Sequence, residues 1–81
     1  MSSRAVRTVR TTFGRRLRAL RQAGGWSQEA LGERSNLSGK FIGEVERGTK
    51  SISLDSLHHV ARALRAPLTS LIHGVPPTRG H

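Results

Sequence analysis

The stretch Trp26–Gly48 reads WSQEALGERSNLSGKFIGEVERG, and its punctuation describes two short helices joined by a tight turn. Trp26-Ser27 precedes Leu31, and Leu37-Ser38 precedes Ile42. Each set is an apolar residue, a serine and a second apolar residue four places into a helix, the pattern of a hydroxyl N-cap with a hydrophobic staple. The first helix is expected over about Gln28–Ser35 and the second over about Gly39–Arg47, closed by Gly48. The few residues between them are too short a link for antiparallel packing. The pair must cross steeply, which projects the second helix away from the body of the domain.

Working outward, the same device recurs at Ile52-Ser53 before Leu57. It starts a helix over about Leu54–Leu64 with Leu57, Val60, Ala61 and Leu64 as its buried stripe. Upstream, Phe13, Leu17 and Leu20 stand at i, i+4, i+7 and predict a helix from about Thr12 to Ala23, ended by Gly24-Gly25. Downstream, Pro67 suits a helix start, and Leu68, Leu71 and Ile72 give a short fifth helix. No strand alternation competes. The expected fold is all-α, with three parts: a flexible basic arm over residues 1–11, a domain over 12–73 and a disordered tail over 74–81, where Gly, Pro-Pro and Gly cluster.

Eighty-one residues make one small domain. No cysteine is present, which excludes disulfides and thiolate metal sites. No apolar run approaches the ~20 residues of a bilayer span, and the basic N-terminus has no apolar segment behind it. The expected location is therefore cytoplasmic. Fourteen Lys and Arg against five Asp and Glu give a formal charge of +9. Seven arginines, from Arg4 to Arg21, precede the first acid, Glu29. That asymmetry points to a polyanion such as nucleic acid or an anionic surface.

The motifs in order, SQEAL at the first cap, NLS at the second, IGEVERG, then ISLDSLHHVARAL, resemble the Cro and phage-repressor type of helix-turn-helix, the Xre family. The match covers about Phe13 to Ile72. The resemblance implies a compact five-helix, lambda-repressor-like DNA-binding domain whose third helix enters the major groove. Gly32 stands where the family usually has alanine, and Asn36 where it has the turn glycine. Asparagine is the next most tolerant residue at positive φ, so the turn should survive.

With Ile42 and Val45 inward, Lys40, Gly43, Glu44 and Arg47 fall on one outward face. The family reads bases from positions matching Gly39, Lys40, Gly43 and Glu44. Lysine donates to guanine and glutamate accepts from the cytosine amino group, while the glycines would let the groove come close. Backbone contacts are expected from Gln28, Ser38, Phe41, Arg47, Lys50 and Ser51, and these set register rather than sequence. Phe41 has two readings, core packing or a place against the sugar-phosphate chain. The arm residues Arg4, Arg7 and Arg10 also have two: contacts along the groove or into the minor groove, or a tail with no defined contact.

Glu46 faces the unfavourable end of its helix dipole; the resemblance implies a buried or half-buried structural pair with Arg21, and the alternative is an exposed acid beside Arg47. His58, His59, His73 and His81 make no metal-ligand pattern. No catalytic set appears, and neither a cofactor nor an enzyme activity is expected. The reading is a sequence-specific transcriptional regulator binding a palindromic or pseudopalindromic operator as a homodimer, through Leu68, Leu71, Ile72 and Val75. The alternative is an antitoxin or adaptor whose main partner is a protein, with DNA binding secondary. An RNA-binding role is disfavoured, since Phe13, Trp26 and Phe41 are the only aromatics and base stacking would want more.

Overall fold

Three serines and four left-handed residues set the helix boundaries. The computed structural model describes residues 4–72; the expected tail, His73 and Val75 lie outside them. Five helices occur in this order: α1 Arg4–Ala23, α2 Gln28–Arg34, α3 Gly39–Glu46, α4 Leu54–Leu64 and α5 Leu68–Ile72. No strand occurs among the described residues. Ser27, Ser38 and Ser53 cap α2, α3 and α4: each hydroxyl accepts from the backbone N–H three residues on, in Ala30, Phe41 and Ser56. Each satisfies a donor the helix itself leaves open.

The first four helices end alike. Gly25, Asn36, Gly48 and Arg65 all adopt positive φ. The residue after each donates back to the carbonyl five residues earlier: Trp26 to Arg21, Leu37 to Gly32, Thr49 to Glu44 and Ala66 to Ala61. This is the six-to-one closure of a Schellman motif. Trp26 and Leu37 therefore close one helix and, as the apolar residue before a serine cap, open the next. That double use is what makes the α2–α3 turn so short.

The core joins all five helices through Phe13, Leu17, Leu31, Ile42, Val45, Val60, Ala61 and Leu71. Helix α3 packs on α2 and α1, α2 packs on α4, and α5 packs on α1 and α4. Two glycines permit the closest approaches. A Cβ at Gly32 would lie 2.8 Å from the carbonyl carbon of Ser38 and 2.9 Å from the Gly39 nitrogen. One at Gly14 would meet the backbone carbonyls of Val45 and Glu46. The Arg16 Nε donates to the Ser70 carbonyl at 2.7 Å, tying α1 to α5.

Two expectations need correction. Residues 4–11 are not a flexible arm: they are the first two turns of α1. Val6 and Val9 stand in helical phase with Phe13, and the helix continues that face upstream of Thr12 with Val9 half-buried and Val6 exposed. Leu71 is not available for an interface, because it is fully buried in the core. In a five-residue helix wedged between α1 and α4 the leucine at the fourth position turns inward, leaving Leu68 and Ile72 exposed.

Candidate nucleic-acid interface

The outward face of α3 is set by what its inward face must bury. Ile42 and Val45 are in the core, so Lys40 and Arg47 are exposed and Glu44 is half-buried. Of the four positions expected to read bases, Lys40 and Glu44 present side chains there. The two glycines do something else. A Cβ at Gly39 would lie 2.7 Å from Glu29 Cγ and 2.9 Å from its Cα, so Gly39 is where α3 begins against the first turn of α2. Gly43 is buried. The space where its side chain would stand faces the Gln28 amide at 3.2 Å and Arg47 Nη1 at 3.3 Å. Instead of open ground for the groove, Gly43 lies under the side chains of Gln28 and Arg47. Helix phase alone does not reveal this, because the cover at Gly43 includes a side chain from the neighbouring helix.

The same Gln28 joins a buried polar network. Arg21 Nε donates to Glu46 Oε2 at 2.6 Å and Arg21 Nη2 to Glu46 Oε1 at 3.1 Å. The side chains are 10% and 3% exposed, respectively, so this is a desolvated two-point ion pair. Arg21 Nη1 also donates to the Trp26 carbonyl at 2.8 Å, and Gln28 Nε2 to Glu46 Oε1 at 3.1 Å. One carboxylate in the last turn of α3 thus gathers the end of α1 and the start of α2. The dipole penalty at that position is offset by a guanidinium with both donor edges satisfied. The consequence is geometric: the orientation of α3 is locked to the rest of the domain.

The expected backbone contacts surround this face. Ser38 is exposed at the head of α3, and Lys50 and Ser51 are exposed in the loop after it. Phe41 is half-buried and packs against the core, which favours the packing reading. Trp26 carries the Arg34 guanidinium 4.7 Å above its ring, so it is occupied as a staple. No helix among the described residues is long and apolar enough to cross a membrane. No three His, Cys, Asp or Glu among them gather as a metal site would require.

Two short capped helices packed on each other across a tight turn, a locked second member and a polar outward face with basic surroundings define a helix-turn-helix domain. The model of the family described as a helix-turn-helix domain matches residues 12–71, and the chain belongs to this family of DNA-binding transcriptional regulators, which are not enzymes. It is similar to the control protein C.BamHI of Bacillus amyloliquefaciens, 35% identical over 57 residues that cover 69% of this chain and 70% of that protein. It is also similar to the immunity repressor protein of Bacillus phage phi105, 33% identical over 61 residues that cover 75% of this chain but 42% of that longer protein. Among solved structures, the restriction-modification controller protein C.AhdI of Aeromonas hydrophila superposes with a TM-score of 0.74 at 43% identity. That match covers 75% of this chain and 88% of that one.

Proposed function

We propose that this chain is a sequence-specific transcriptional regulator that inserts α3 into the major groove of a two-fold symmetric operator as a homodimer. The observation that carries the reading is the Arg21–Glu46–Gln28 network. It fixes a capped helix so that Lys40 and Glu44 project one turn apart on an exposed face. Lys40 donates to guanine O6 or N7, and Glu44 accepts from a cytosine amino group. Arg47, Lys50, Ser38 and Gln28 take phosphates, with the N-terminus of α2 adding its dipole beside Gln28. Neutralised phosphates release counterions, which suits a chain of net charge +9. Acting on chromosomal DNA, the protein works in the cytoplasm.

One recognition helix spans a few base pairs, so a second copy supplies the second half-site about one helical turn away. Of the residues expected at that contact, Leu68 and Ile72 are exposed among the described residues, at 41% and 52%. Selection of bound duplexes from a random pool tests the whole reading. It should return two inverted half-sites centred about 34–36 Å apart. Leu68→Glu with Ile72→Glu should keep the fold, give a monomer in sedimentation and abolish the preference for the paired site. A single unrepeated site bound by a monomer would contradict the dimer, and no enriched site at all would contradict sequence-specific recognition.

A further inference from the structure

Two turns of helix, residues 4–11, precede the segment that the family model covers, and they have two different faces. At about 100° per residue, Arg4, Arg7, Thr8, Thr11, Thr12 and Arg15 fall within an arc of roughly 140°. They line one shallow depression, in which Arg4, Arg7 and Arg15 are exposed. No acid stands among them. Val6, Val9 and Phe13 lie on the opposite side. There Val9 and Phe13 line a cleft of about 250 Å³ with Ile52, Leu57 and Ile72. Arg10 belongs to that second side, beside Lys50 and Ser51. On this side Val9 and Arg10 are half-buried, while residues 4–8 stand exposed as a helical continuation of the Phe13 face.

Its basic face is continuous with the outward surface of α3. Gly48, the residue after Arg47, sits against Thr11: a Cβ there would lie 3.0 Å from the Thr11 hydroxyl oxygen and 3.1 Å from its Cα. The stripe therefore leaves from the end of α3 and runs along α1 to Arg4. The first turn of α1 holds no acid, so Arg4 and Arg7 oppose the positive end of the helix dipole in the free protein. A phosphate placed there is attracted by both.

We propose that Arg4, Arg7 and Arg15 form a rigid track for the phosphates of the duplex, extending the contact of α3 beyond the helix-turn-helix footprint. The proposal rests on the reading of α3 as the helix that enters the groove. The Thr8 hydroxyl is taken up in donating to the Arg4 carbonyl at 2.9 Å and holds the helix rather than the ligand. Because the track is ordered by folding, binding does not have to order it. It carries no base readout and raises affinity for all sequences alike.

The test uses the full chain on the selected duplex and on random DNA, with log affinity followed against log salt. Arg4→Gln with Arg7→Gln should lower the slope by about 1.8 per subunit, at ~0.9 for each phosphate no longer neutralised. Thr8→Pro keeps every charge but breaks the helix ahead of it, and should lower the slope as much as removing the two arginines. An unchanged thermal transition of the core shows that Thr8→Pro has not simply unfolded the domain. Wild-type binding by Thr8→Pro, with weaker binding by the arginine variant, would mean a flexible arm and overturn the track. Wild-type slopes in both variants would overturn any contact there. Failure of the α3 reading is separate: wild-type protein would then not prefer the selected duplex at all.

Discussion

Glu46 sits in the last turn of α3, where a lone carboxylate is unfavourable, yet three donated hydrogen bonds converge on it. Glu46→Gln leaves the Arg21 guanidinium buried without its counter-charge and should cost roughly 3 kcal/mol. Converting both Arg21 and Glu46 to Met should restore most of that stability, since a buried ion pair roughly breaks even with apolar packing; a double variant as unstable as the single one would contradict this. Gly32→Ala removes a helix-propensity penalty of about 1 kcal/mol, but its Cβ would press on the backbone of Leu37, Ser38 and Gly39. Net destabilisation of about 1–3 kcal/mol is expected, to be read from the thermal midpoint. Ser35 is 1% exposed and its hydroxyl has no hydrogen-bond partner among the described residues. Ser35→Ala should therefore be neutral or stabilising by up to about 1 kcal/mol. Lys40 and Glu44 are legible from helix phase. The covering of Gly43 is not, because Gln28 reaches it from another helix.

At the scale of the element, serine caps and left-handed closures carry the boundaries, and most are plain in the sequence. Gly25, Asn36 and Gly48 announce their closures by residue type. Arg65 does not: it takes φ +57° at the end of α4 with an ordinary side chain, a conformation that costs roughly 1–2 kcal/mol outside glycine. Arg65→Gly should relieve the strain and, after the added freedom of the unfolded chain, raise stability by about 0.5–1 kcal/mol. A lowered thermal midpoint would show that the Arg65 side chain holds something the backbone does not. The starts of α2, α3 and α4 are legible because one three-part device marks each. The start of α1 is not. Its apolar face is two β-branched valines, and arginines in the first turn oppose the dipole. The helix nonetheless runs unbroken from Arg4, continuing the Phe13 face upstream. In α5 the apolar residues are visible in the sequence, but which of them turns inward depends on α1 and α4.

For the whole molecule, charge and shape divide the work. In the proposed reading, the excess of base over acid supplies affinity without sequence preference, and the side chains on α3 supply the preference. The two should separate under mutation. Lys40→Ala should weaken binding to the selected duplex by about 1–3 kcal/mol and also weaken random DNA, because it removes a cation. Glu44→Ala should weaken the selected duplex by a similar amount while random DNA is bound as well as before or better, because a charge repelling phosphate is gone. The most direct test is the pair of affinities of Glu44→Ala, for the selected duplex and for random DNA at one salt concentration. The predicted result is a fall in the first of about tenfold or more, with no fall in the second. Equal affinities of variant and wild type for the selected duplex would contradict the claim that this face of α3 reads the bases.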